Sequence, residues 1–469
     1  MFAAIANTFT NCFKIPELKS RILFTMAVLA ICRIAAYIRI PGLDGAALQA
    51  YFDSMPAAGA GGAMGMYSLF TGGALEKCAI GALGIMPYIS ATIVMQLLQA
   101  VWPPLSKLAR EEGGRVQLIK YSRYLTVLIC LGQGFFMTLS WEHPQVMFSN
   151  FPANRALVLI DNLWWYRFQT VLILTTTTLL FMWLGEQISE RGIGNGVSLI
   201  ITIGILARIP LAGQSLLDMF FPPAGTESKF NLGHAVLLVG LMVMVVAGVV
   251  ATTQAQRKIP VQYAQRAMGR KVFSGGTSFL PLRLNFSGVM PIIFAGAILM
   301  VPQKLFQTIG AVSPSLHFFI DISKYLADGT AVYIATYGIL ILFFSYFWTA
   351  TQFNEIQIAD DLKKNGGYIP GVRPGQATST FLHNSMSRIT LAGAVFLTVI
   401  AVIPIWLSRE LNIPFAVSTF FGGTSMLITV GVLLDTVRQM ESHLMMRHYD
   451  GFLQSGRGGG KGPRIRGRL

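Results

Sequence analysis

A chain of 469 residues that is 53% hydrophobic and 12% charged holds about half the charge of an ordinary soluble domain. That composition excludes a water-soluble globule, and the net charge of +15 has meaning only through where the basic residues fall. Cys12, Cys32, Cys78 and Cys130 are scattered without a Cys-x-x-Cys pair, so neither a disulfide framework nor a zinc site is expected.

A hydrocarbon core about 30 Å thick needs about 20 apolar residues in a helix. That ruler predicts spans at 22–40, 78–100, 124–141, 168–186 and 194–211, then at 233–253, 287–308, 331–351, 389–407 and 421–440. The expected fold is an all-α polytopic membrane protein with ten transmembrane helices. The first span follows Lys14, Lys19 and Arg21 and closes without a small-residue cleavage site, so it reads as a retained span. Gly192, Gly194 and Gly196 crowd the start of the fifth.

Lys and Arg favour cytoplasmic loops. Of the 36, 26 fall in the N-terminus and in segments 101–123, 187–193, 254–286, 352–388 and 438–469. Nine lie in the outer segments and at span edges, and Arg33 alone lies inside a span. Both termini are therefore expected in the cytoplasm, with the positive charge mostly a topology signal.

Three segments outside the spans stand out. Residues 59–73, GAGGAMGMYSLFTGG, are apolar but too short to cross; they suit either a re-entrant plugging element surrounded by protein or water or an ordinary outer loop. The inner loops 254–286 and 352–388 are long for a bundle and mix apolar with basic residues, so they are expected to be ordered and functional. The tail SGRGGGKGPRIRGRL at 455–469 reads as flexible and basic, suited to anionic lipid or RNA.

No catalytic constellation is found. The six histidines lack HExxH spacing and no glycine cluster ends in GK[ST]. Arg33 and Asp435 are the ionisable groups within spans, open to a functional role or a structural pairing.

The second span carries Gly84 and Pro87 and the seventh carries Gly288 and Pro291. Each proline is expected to kink its helix. Interruptions at matching places in two halves of five point to the working interface of a repeat-built membrane protein, although proline is also common in membrane helices generally. Ile85, Ile89, Ile292 and Ile293 beside the breaks fit an apolar constriction or contacts with lipid. An inverted-repeat secondary transporter, which would place polar groups there, and a poreless assembly factor remain alternatives.

Four strings, GALGIMPYISATIVMQLL (81–98), MWLGEQISERGIGNGVSLI (182–200), GGYIPGVRPG (366–375) and FGGTSMLI (421–428), resemble the bacterial SecY family in order and spacing. The resemblance runs from about residue 15 to about 450. It implies a channel subunit through which unfolded preproteins cross or enter the bacterial cell membrane, built as two pseudo-symmetric halves of five helices. On this division 1–21 is a cytoplasmic N-terminus, 22–211 the first half and 212–232 an outer hinge loop. Residues 233–440 are the second half and 441–469 a basic cytoplasmic tail.

The resemblance also implies roles for particular residues. The aliphatic pore ring falls on Ile85, Ile89, Val197, Ile201, Ile293 and Ile428, with Val197 smaller than the isoleucine usual there. The short plug helix falls at about 61–70, with Gly62, Met64, Met66, Tyr67, Leu69 and Phe70. A lateral gate lies between the second and seventh spans, at Gly84, Pro87, Gln96 and Pro291. Arg257, Lys258, Arg270, Lys271 and Arg373 fall in loops that dock the SecA motor ATPase or the ribosome. SecE-like and SecG-like small subunits, preprotein signal sequences and anionic lipids complete the implied partners, and no cofactor is implied.

Overall fold

The computed structural model describes residues 15–54, 67–68, 70–111, 113–144, 156–221, 231–263, 266–268, 271–273, 277–312, 317–326, 330–411, 413, 417, 420 and 424–454. The first half holds helices α1 (Pro16–Ile34), α2 (Gly45–Ser54), α3 (Met86–Val101), α4 (Pro103–Arg110), α5 (Gly114–Glu142), α6 (Leu163–Arg191), α7 (Gly196–Leu206) and α8 (Ile209–Phe220). The second holds α9 (Leu232–Gln254), α10 (Met290–Val312), α11 (His317–Tyr325), α12 (Ala331–Gln352), α13 (Glu355–Lys364), α14 (Gln376–Glu410) and α15 (Thr424–Gln454).

The ten expected spans correspond to α1, α3, α5, α6, α7, α9, α10, α12, α14 and α15. By length and composition alone, Val116–Glu142, Leu163–Arg191, Gly196–Phe220, Gly233–Gln254, Ala331–Lys364 and Gln376–Ile403 are long and apolar enough to cross a membrane. The shorter apolar helices Met86–Val101 and Met290–Leu299 fall at the second and seventh positions.

Several boundaries move. The first helix ends at Ile34, and Ile40 is tied back by its amide to the Cys78 carbonyl at 2.9 Å. The second helix starts at Met86 rather than near 78; its 16 residues reach about 24 Å, short of a bilayer's hydrocarbon core. Turns over 72–85 make up the difference. The fifth span breaks at Ala207–Arg208, and Pro210 stands in the first turn of α8, where a missing amide hydrogen costs no helical bond. Helices α5 and α14 project well past their expected inner ends.

The inner loops add strands that the apolar-run ruler did not register. Strands β1 (Gln256–Tyr263), β4 (Thr277–Arg283) and β5 (Gly367–Tyr368) form an antiparallel sheet in the order β4-β1-β5, and β2 (Arg266–Met268) pairs with β3 (Lys271–Phe273). Ile259 and Val261 are buried while Lys258 and Pro260 are exposed, the period-2 alternation of a half-buried strand. Pro260 is tolerated in the middle strand because β5 reaches only Gln262 and Tyr263, leaving one edge of β1 open opposite it. A separate apolar cluster, including Ile259, Val261, Leu282, Phe353, Ile369 and Leu382, joins the two basic loops into one inner body.

Candidate functional site

The second and seventh helices begin in the same way. Gly84 (φ +58°) and Gly288 (φ +62°) take left-handed backbone, and each precedes by two residues a helix whose second residue is proline, Pro87 or Pro291. A left-handed glycine ends one chain direction at no Cβ cost, and proline is favoured in a first turn because that turn needs no amide donor. The expected proline kinks are therefore corrected: Pro87 and Pro291 start their helices, whereas Pro302 is the proline inside α10. The two helices occupy matching places in the halves and, with four spans between them, run in opposite directions.

Helix α3 packs on α10, α10 on α15, α15 on α7, α7 on α6, and α6 on α3. This closed circuit carries all six aliphatic residues singled out above. Ile85 caps α3 and is 3% exposed; Ile201, Ile293 and Ile428 are each 1% exposed. Ile89 is buried, and Val197 packs half-buried against the same apolar core. Ile85 and Val197 both approach Gly185: a Cβ there would stand 3.6 Å from Ile85 Cδ1 and from Val197 Cγ2. Beside this core is a cavity of about 160 Å³ with polar walls from Asn195, Ser198, Asn285, Ser287, Asp435 and Arg438. The Arg438 guanidinium also donates to the Thr253 carbonyl.

Among the main contacts, the halves meet at two seams, α3 with α10 and α7 with α15. At the second seam the Gly194 amide donates to Gln439 Oε1 at 2.9 Å, and a Cβ on Gly194 would stand 3.1 Å from Thr436 Oγ1. On α3, Gln96 is half-buried and its amide oxygen has no hydrogen-bond partner.

Of the plug residues, Gly62, Met64, Met66 and Leu69 lie outside the described residues. Tyr67 is buried and donates to the Leu83 carbonyl at 3.2 Å, and Phe70 is half-buried against the main core. Arg33 finds its partner here: its Nη1 donates to the Gly72 carbonyl at 2.8 Å, with its guanidinium 5.0 Å from the Tyr37 ring. Sequence reading missed Ser68, Glu76 and Arg208, which form a largely buried polar cluster beside these residues, with Ser68 fully buried and the two charged groups half-buried. Arg208 and Glu76 stand 132 positions apart, and no local pattern joins them.

Arg257 and Lys258 are exposed on β1, and Lys271 opens β3; Arg270 lies outside the described residues. Arg373 is exposed between Gly371 (φ +82°) and Gly375 (φ +104°). The Arg373 carbonyl accepts from Thr378 Oγ1 at 2.9 Å, and neighbouring Val372 packs on the inner cluster. Tyr368 Oη donates to Gln262 Oε1 at 2.9 Å across the β1–β5 pairing, so the two loops present their basic groups from one scaffold.

These features define a class: a polytopic helical membrane protein whose two halves close around an apolar waist. A family model described as SecY matches residues 79–437. The chain is 41% identical over 464 residues to the protein translocase subunit SecY of Chlamydia trachomatis serovar D, covering 97% of this chain and 99% of that one. It is 37% identical over 473 residues to the protein of the same name from Thermotoga maritima, covering 98% and 99%. A solved structure described as "The structure of a protein conducting channel" superposes with a TM-score of 0.59 at 18% identity, covering 92% of this chain and 96% of that one. Sec61 in the canine ribosome-channel complex gives 0.55 at 17% identity, covering 92% and 96%. The chain belongs to the SecY family.

Proposed function

We propose that this chain is the channel-forming subunit of a bacterial protein translocase, passing unfolded preproteins across the cell membrane and releasing apolar segments sideways into the bilayer. The observation that carries the reading is the closed circuit of α3, α10, α15, α7 and α6 around six aliphatic side chains. An apolar waist contacts any passing chain without selecting a solute and excludes ions by dewetting. The relatives' shared name, protein translocase subunit SecY, favours a chain as cargo over the small solute of a secondary transporter.

In this reading the plug segment closes the waist from outside. The seam between α3 and α10 is the side door, since the other seam is held by the Gly194–Gln439 hydrogen bond. An apolar segment in the waist leaves through it because lipid solvates it better than an aqueous pore. The exposed Arg257, Lys258 and Arg373, with Arg270 and Lys271, dock a SecA-like motor or a ribosome; the canine Sec61 structure is of a ribosome-channel complex. Basic groups suit both, through RNA phosphates and bidentate pairing with carboxylates. Both termini face the cytoplasm, the basic tail reaches anionic lipid, and small SecE-like and SecG-like subunits cover lipid-level surfaces. Nucleotide hydrolysis belongs to the motor.

The test places a photo-crosslinker at Ile85 or at Ile293 and stalls a secretory chain in transit. Crosslinks to the stalled chain are expected from both positions. Their absence, with the motor or ribosome shown to be docked, would overturn the channel reading.

A further inference from the structure

We propose that Arg208, Glu76 and Arg33 are positioning residues that latch the outgoing end of the plug segment against α7, and so set how rarely the closed channel leaks. The inference rests on the plug reading above and adds to it a mechanism of retention.

The cluster joins three separate parts of the chain. Ser68, fully buried within the plug segment, donates its hydroxyl to Glu76 Oε1 at 2.5 Å. Arg208, at the break between α7 and α8, donates Nη1 to Ser68 Oγ at 3.1 Å and pairs through Nη2 with the same Glu76 carboxylate. Only 16% and 15% of the Arg208 and Glu76 side chains are exposed. A second anchor lies four residues on, where Arg33 of α1 donates to the Gly72 carbonyl at 2.8 Å. Between them the Gly73 amide closes a turn onto the Ser68 carbonyl at 2.8 Å.

The backbone here lies directly on α7. Gly72 has φ +64°, and a Cβ on it would stand 2.9 Å from the Gly204 Cα. The segment therefore sits where charge-assisted hydrogen bonds hold it from both α1 and the α7–α8 break. Such bonds are roughly twice as strong as neutral ones, and removing one partner from a buried pair leaves the other uncompensated. Displacing the plug takes Ser68 away from Arg208 and Glu76, and takes the Gly72 carbonyl away from Arg33. Both anchors therefore oppose opening and re-form on closure.

The experiment measures resting ion leak of the reconstituted translocase complex in liposomes, with channel content normalised by immunoblot. Glu76→Gln and Arg208→Gln are each expected to raise the leak about tenfold, the scale of one charge-assisted hydrogen bond. The exchange Glu76→Arg with Arg208→Glu is expected to restore most of the seal, since the pair re-forms. Deleting residues 61–70 should raise the leak, and adding Glu76→Gln to that deletion should change nothing further, because the latch then has nothing to hold.

A leaking deletion with Glu76→Gln and Arg208→Gln as tight as the parent overturns the latch and leaves the plug standing. An equal rise from Glu76→Gln with and without the plug also overturns it, as that result marks a general structural role. A deletion that does not leak overturns the plug reading and the latch together. Should Glu76→Gln fail to assemble, Ser68→Ala, which removes only a hydroxyl, is expected to raise the leak several-fold; an unchanged leak there counts against the latch.

Discussion

Single residues decide how closely the helices approach. Gly196 opens α7 against Gly185 of α6, and a Cβ on it would fall 1.9 Å from the Gly185 carbonyl oxygen. Backbone cannot swing aside as a long side chain can, so Gly196→Ala must part α6 and α7 beside Val197. The expected cost is about 1–3 kcal/mol, the usual range for overpacking. It should appear as a lowered melting temperature of the detergent-solubilised protein, whereas Gly213→Ala, inside α8 with open space around its Cβ, should hold or slightly raise it, since alanine suits a helix interior better than glycine. Equal melting of Gly196→Ala and the parent would contradict this packing. Gly192, Gly194 and Gly196 were visible as a cluster in the sequence. Their neighbours were not, because Thr25 and Gln439 come from distant parts of the chain and the contact with Gly185 depends on how the chain turns between two helices.

At the scale of elements, the G-[IV]-M-P string at 84–87 and 288–291 is a helix start used twice. Helix α3 supports this with Pro87 in its first turn, where the residue would donate no helical hydrogen bond in any case. Pro87→Ala should therefore change stability by less than about 1 kcal/mol, against about 3 kcal/mol for a proline within a helix. Gly84→Ala is expected to cost about 1–2 kcal/mol, because a left-handed φ of +58° crowds a Cβ against its own carbonyl and against Thr71 Cγ2 at 3.2 Å. Thermal unfolding of the two variants side by side checks the ranking; a more damaging Pro87→Ala would return the proline to a kink. Matching positions of the two interruptions were legible in the sequence, since glycine and proline act locally. Their geometry was not, because a ruler for apolar length counts residues 78–85 as span whether or not they are helical.

Across the whole molecule, two loops whose paired strands lie more than a hundred residues apart in sequence become one body through β1, β5 and a shared apolar cluster. Arg373 stands exposed on a turn whose neighbours Ile369 and Val372 are anchored in that cluster. Arg373→Glu should therefore leave the fold and membrane insertion intact while cutting motor-dependent export at least tenfold, as reversal of a docking charge changes association steeply. In vitro translocation with motor titration checks this, with trypsin accessibility of the loops as the control. Export at the parental rate would remove Arg373 from the docking surface. The long inner loops were readable as ordered from their mixed composition, and the Ile259–Val261 alternation is a strand signal in hindsight. The partner strands were not readable, since β5 is two residues long and has no periodicity of its own.

What the sequence determined by itself is the part governed by local physics. Lipid demands apolar runs of helical length, cytoplasmic loops collect Lys and Arg, and glycine with proline marks where a span is interrupted. Those rules predicted ten spans and two matched interruptions. Only the tertiary structure decided which faces of α3, α7, α10 and α15 turn inward, because an all-apolar helix shows the same chemistry to lipid and to a neighbour. Only it brought Arg208 to Glu76, joined Arg33 to the Gly72 carbonyl and fused two loops into one sheet. Each of these is a meeting of residues whose separation along the chain leaves no trace in the residues between them.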